Sequence, residues 1–113
     1  MVSQKIAGVN RITLDNPLDF LDWRMGSGST VEIYDIQVGS SRGQGRGKEL
    51  VQRLYLDVPR GCRLIWAITR STNQVAQHFY EALGFRVVGV LREFYKDDVD
   101  GVDAVMYGKD VKR

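Results

Sequence analysis

Between residues 31 and 38 apolar and polar positions alternate, with Ile33 and Asp35 falling on one side and Tyr34, Ile36 and Val38 on the other. That period predicts a strand, set centrally in a sheet. Over residues 45–56 the period changes: Leu50, Val51, Leu54 and Tyr55 recur at helical spacing, Lys48, Glu49, Gln52 and Arg53 take the opposite side, and Asp57, Pro59 and Gly61 end the helix. Residues 63–69 hold the nearly unbroken apolar run Leu64, Ile65, Trp66, Ala67, Ile68, which suits a strand covered on both faces. Ser71, Thr72 and Asn73 then offer caps to a second helix with a buried stripe of Val75, Ala76, Phe79, Tyr80 and Leu83, and Gly84 suits its C-terminal cap. Residues 5–14 and 20–25 read as strands around the turn Asp15-Asn16-Pro17, and residues 86–95 and 104–111 as a closing pair of strands. The expected fold is α/β: a mixed, mainly antiparallel central sheet with two core helices, in one domain over residues 1–113.

At 113 residues and 43% hydrophobic, the chain is large enough for one modest core and too small for two. A net charge of +2 with the basic residues dispersed demands no nucleic-acid partner, and an anionic ligand accounts for it. Cys62 and His78 are the sole cysteine and histidine, so neither an internal disulfide nor a zinc or haem site has ligands, and no metal is expected. Residues 1–10 lack the apolar core of a signal peptide, and no apolar run has the length of a membrane span. A soluble cytoplasmic protein is expected.

The chemistry concentrates in Arg42-Gly43-Gln44-Gly45-Arg46-Gly47-Lys48, between the central strand and the first helix. Glycines there let main-chain N–H groups converge on an anion, at which the helix also aims the positive end of its dipole. A Walker A loop is excluded, because Arg42 stands where its first glycine belongs and Glu49 where Ser or Thr must follow the lysine. The dinucleotide fingerprint is excluded as well, since the glycines fall at 43, 45 and 47.

What remains is Arg-x-x-Gly-x-Gly, with Arg42, Gly45 and Gly47 in the fixed places, followed downstream by Asn73-Gln-Val-Ala76-Gln-His-Phe79-Tyr80-Glu-Ala-Leu-Gly84-Phe85. The two segments together resemble the acyl-CoA pyrophosphate loop and the second recurrent segment of the GNAT (GCN5-related) N-acetyltransferase superfamily. The resemblance runs from about Glu32 to Tyr107. It implies acetyl-CoA as co-substrate, a splayed pair of strands that admits the pantetheine arm, and acetyl transfer to a primary amine of a small molecule or a protein N-terminus.

Carried onto this sequence, the resemblance assigns pyrophosphate binding to the amides of Gly43, Gln44, Gly45, Arg46, Gly47 and Lys48, with Arg42 heading the motif. It assigns pantetheine pairing to the backbone of Ile36, Gln37 and Val38, with the Val38 N–H facing the thioester oxygen. Tyr80 matches the acid that reprotonates the CoA sulfur, although it also fits the buried stripe of its helix. Asn73 matches a residue that bonds the pantetheine arm and equally suits an N-cap. Glu32 matches a general base. Six residues before Val38 in a regular strand, it shares that residue's face, with Asp35 on the opposite one; an ion-paired surface role competes. Glu93, Tyr95, Asp97, Asp98 and Asp100 in the closing hairpin can attract a cationic amine or simply be solvated.

Thirty residues precede Val31, too few for the family's usual first strand and two helices, which marks a short, N-terminally truncated member. The linker from Val38 to Arg42 is also one residue shorter than the family's. A wall missing from the acceptor pocket can come from a second subunit, and exposed sheet edges favour pairing, so a homodimer is expected. Two other readings compete with the enzyme. One is a catalytically inactive acyl-CoA-binding or interaction module; the other is an RNA-binding patch formed by Arg42, Arg46, Lys48 and Arg53.

Overall fold

The computed structural model describes residues 8–39, 45–96 and 102–112. Among these the chain runs β1 (Val9–Thr13), β2 (Asp19–Met25), β3 (Thr30–Val38), α1 (Arg46–Asp57), β4 (Leu64–Arg70), α2 (Gln74–Ala82), β5 (Arg86–Tyr95) and β6 (Val102–Asp110). The strands form one sheet in the order β1-β2-β3-β4-β6-β5, in which β3 and β4 are parallel and every other neighbouring pair is antiparallel. A parallel pair needs a crossover, and α1 supplies it. The expected fold class and element order hold. Residues 5–7 of the first expected strand lie outside the described residues.

The turn between β1 and β2 is built by Asn16. Its side-chain oxygen accepts the Leu18 N–H at 2.9 Å and its carbonyl accepts the Asp19 N–H at 2.9 Å, a local closure that asparagine favours. One face of the sheet carries Leu21, Trp23, Ile33, Ala67 and Tyr107, all buried. Leu50, Val51 and Leu54 of α1 and Tyr80 of α2 complete that core, so both helices cover the same face. They also touch each other: a Cβ on Gly47 would stand 2.5 Å from the Phe79 ring.

The opposite face has no helix among the described residues and is organised by polar contacts. Arg11 grips Asp22 through two hydrogen bonds of 2.7 and 2.9 Å, Arg24 pairs with Glu32 at 2.6 Å, and the Trp66 indole donates to the Thr30 hydroxyl at 3.1 Å. This corrects the expectation for β4. Ile65, Ala67 and Thr69 are buried under the helices, whereas Leu64, Trp66 and Ile68 on the other face are only half-buried.

Two further corrections matter for the site. Asp22 pairs with Asp35 but Trp23 with Ile33, so Tyr34 is an extra residue that bulges from β3. A bulge reverses the parity of everything beyond it. Glu32 and Asp35 therefore share the helix-free face, opposite Val38, whereas a regular strand would put Glu32 on the same face as Val38. Val75, expected in the buried stripe of α2, is 73% exposed: it sits in the first helical turn and lines an open groove instead of packing into the core. Among the described residues no helix is long and apolar enough to cross a membrane.

Candidate active site

β3 and β4 are paired only from Thr30 with Leu64 to Ile33 with Ala67. Beyond that point residues 34–38 and 68–70 part company, and a groove of about 880 Å³ opens between them. The bulge at Tyr34 falls where pairing stops, consistent with its bending the strand away.

The main chain of β3 is oriented by its pairing with β2. Gly39 donates its N–H to the Leu18 carbonyl at 3.1 Å, so by the alternation of an antiparallel ladder Gln37 and Asp35 also turn their main-chain groups toward β2. Ile36 and Val38 then turn theirs into the groove, as an acyl-pantetheine arm would require. Gln37 presents a side chain instead, and its amide donates to Asp35 at 3.2 Å.

At one end of the groove stands the N-terminus of α1. Its first intrahelical bond runs from the Glu49 N–H to the Gly45 carbonyl, which leaves the amides of Arg46, Gly47 and Lys48 without helical partners. No side chain caps this end among the described residues. Gly45 occupies the cap position at φ 70°, a left-handed conformation that only glycine adopts without strain. Gly47 is required for a different reason, the close approach of Phe79. The helix end is thus shaped to receive an anion on bare main chain. Gly45, Arg46, Gly47 and Lys48 line the groove, while Arg42, Gly43 and Gln44 lie outside the described residues.

Tyr80 is 4% exposed and lines the same groove. Its ring packs edge-on against Phe79 and Phe85, each with centroids 5.2 Å away, and stacks on Tyr107 at 5.9 Å. Tyr107 is held in turn by its hydroxyl, which donates to Glu81 at 3.0 Å. Burial drives the Tyr80 pKa well above its ordinary value, with the Asp35 carboxylate adding to the effect. The phenol therefore keeps its proton at any physiological pH.

Asn73 caps α2, its side-chain oxygen accepting the Ala76 N–H at 3.0 Å, and its amide NH₂ can still donate to a ligand in the groove it lines. Glu32 is drawn to Arg24 and does not line the groove; Asp35 does. Asp35 and Tyr80 line the groove from opposite faces of the sheet, where β3 and β4 have separated. At the groove mouth Arg70 stacks over Tyr95, 4.3 Å from the ring centroid. Sequence reasoning put Glu32 on the face of Val38, where the bulge does not leave it, and passed over Arg70. Only the pairing partners of β3 and β6 reveal their positions.

The sequence pattern of the Acetyltransferase (GNAT) family matches residues 2–85. This chain belongs to the GNAT acetyltransferase family. Among its relatives is the N-alpha-acetyltransferase RimI of Mycobacterium tuberculosis, 30% identical over 105 residues, covering 92% of this chain and 57% of that protein. The chain thus spans little more than half the length of this curated relative. A GNAT-family structure from Desulfovibrio desulfuricans superposes with a TM-score of 0.78 at 26% identity, covering 93% of this chain and 70% of the other. A Bacillus anthracis structure described as of the streptothricin acetyltransferase type, in complex with acetyl coenzyme A, gives a TM-score of 0.78 at 25% identity over 88% of this chain and 60% of the other.

Proposed function

We propose that this GNAT chain, working as a single domain, transfers the acetyl group of acetyl-CoA to a primary amine by direct attack on the thioester. The observation that carries the reading is the parting of β3 from β4, with bare helix amides at one end of the gap and a protonated, buried Tyr80 at its floor. The acetyl-CoA held by the Bacillus anthracis structure supports the co-substrate, and the mycobacterial name supports a protein N-terminus as one acceptor beside small amines.

In this reading the first-turn amides of α1, with the Arg42 to Gln44 segment, hold the pyrophosphate, and Ile36 and Val38 pair with the pantetheine amides. The Val38 N–H donates to the carbonyl oxygen as negative charge grows on it. The amine nitrogen bonds to the acetyl carbon, the carbon–sulfur bond breaks, and the thiolate takes a proton from the Tyr80 hydroxyl. Because only the neutral amine can attack, the ammonium first gives one proton to a carboxylate, directly or through water, and the second proton, shed by the nitrogen as it becomes an amide, returns to the Tyr80 oxygen. Because burial penalises a tyrosinate, donation by Tyr80 and its reprotonation must be closely coupled.

For that base the groove favours Asp35 over Glu32, since Asp35 lines it and Glu32 is held by Arg24. Asp35→Asn is expected to lower kcat/KM about tenfold near neutral pH, with recovery as rising pH deprotonates the amine in solution, against about twofold for Glu32→Gln. The reverse order in a pH–rate profile would return the role to Glu32.

The reading as a whole is tested by titrating the protein with acetyl-CoA in a calorimeter beside Gly45→Glu. A Cβ at Gly45 meets no atom of the described residues within 4 Å, so the substitution adds about 1–2 kcal/mol of left-handed strain without a clash among them and places a carboxylate at the anion site. Micromolar binding, weakened about tenfold or more in the variant, is the expected result. Binding without acetylation of any amine or free peptide N-terminus would leave an acyl-CoA-binding module. Absence of binding by the wild type would sink both. A cytoplasmic homodimer remains part of this proposal, tested by sedimentation of the purified chain.

A further inference from the structure

Asp19 opens β2, distant in sequence from every motif, yet it is fully buried, at 0% exposure. A carboxylate taken out of water must be paired and hydrogen-bonded. Its Oδ1 accepts the Gly39 N–H at 3.0 Å, at the end of β3, and its Oδ2 lies 3.8 Å from Arg46 Nε, at the start of α1. Gly39 lies before the glycine-rich stretch and Arg46 within it, so the two residues stand on either side of residues 40–45. The surrounding turn strengthens both links: Gly39 also donates to the Leu18 carbonyl, and Arg46 is paired with Asp15 as well. A second carboxylate so close to an anion site is electrostatically unfavourable, and Arg46, committed to Asp15 and Asp19, neutralises it rather than reaching for phosphate.

We infer that Asp19 is a positioning residue for acyl-CoA binding: it fixes the end of β3 relative to the start of α1, and so the spacing of the two flanks between which the pyrophosphate must be held. The inference rests on the acyl-CoA reading above. Asp19→Asn keeps the size and an acceptor for the Gly39 N–H but removes the attraction to Arg46; Asp19→Ala removes both links.

Calorimetric titration with acetyl-CoA, well below each variant's unfolding midpoint, tests it. Asp19→Asn is expected to raise Kd about tenfold and Asp19→Ala further, with kcat at saturating acetyl-CoA within about twofold of wild type. An Asp19→Asn/Arg46→Met double variant is expected to bind no more weakly than the worse single variant, because the two residues act as a unit. If Asp19→Ala fails to fold, Asp19→Asn and the double variant decide. A Kd unchanged in folded Asp19→Asn, even with a lowered Tm, would reduce Asp19 to a stability role and overturn the inference. So would a fall in kcat with Kd unchanged. A wild type that binds no acetyl-CoA overturns both readings, whereas wild-type binding matched by Asp19→Asn overturns this one alone.

Discussion

Tyr80→Phe is expected to lower kcat about 100-fold while leaving the Kd for acetyl-CoA within about twofold of wild type. The substitution keeps the ring, and with it the edge contacts to Phe79 and Phe85 and the stack on Tyr107, so the core that these aromatics build is preserved. What is lost is a single hydroxyl. Because burial and Asp35 both raise its pKa, the phenol is protonated throughout the working range, and no alkaline loss of wild-type activity below the ordinary tyrosine value of about 10 should trace to it. Steady-state kinetics beside calorimetry separate the two effects. Turnover within threefold of wild type would remove Tyr80 from the chemistry and leave it a core aromatic.

The parts of the site that were legible in the sequence are those whose chemistry is local. Gly45, Gly47 and the run from Asn73 to Phe85 announce themselves because a left-handed cap, a close helix approach and a capped amphipathic helix each demand particular residues at fixed spacing. The same locality explains why β3 was recognised as a strand while its faces were not. Nothing in Ile33-Tyr34-Asp35 marks a bulge; it arises from how β3 must pair with β2, and a single extra residue turns Asp35 and Glu32 to one face. Asp19 was invisible for a related reason. Its partners lie about 20 and 27 positions downstream, and only the folded hairpin sets it beside them.

Covering one face of the sheet with both helices also had no signature in the sequence. The apolar run in β4 reads as a strand buried on both sides, yet Leu64, Trp66 and Ile68 face the side without a helix among the described residues. That face bears the ordered ion pairs of Asp22 and Glu32, and Asp35 approaches the groove from it. Cofactor and acceptor are thus expected from opposite sides of one sheet, with the separation of β3 and β4 as the route between them. This arrangement makes the contact between α1 and α2 as important to the chemistry as the residues that touch substrate.

Gly47→Val tests that contact directly. A Cβ at Gly47 stands 2.5 and 2.9 Å from two ring atoms of Phe79, too close for any packed pair, so either the ring or the helix must move. A β-branched side chain leaves no rotamer that avoids the ring, and overpacking of this kind costs about 2–3 kcal/mol, a fall of roughly 4 °C in Tm per kcal/mol for a chain of this size. Gly47→Ala should be milder, because the half-buried ring can tilt and alanine regains up to about 1 kcal/mol of helix propensity. Function should suffer with stability: Phe79 is the neighbour of Tyr80 and packs against its ring, so displacing it shifts the phenol relative to the groove. Shortening the obstacle in a Gly47→Val/Phe79→Ala double variant should then cost less than the two single losses added together. Additive losses, or a Gly47→Val protein with unchanged Tm and Kd, would mean that the two helices do not meet here and that the anion end of the groove is positioned by other contacts.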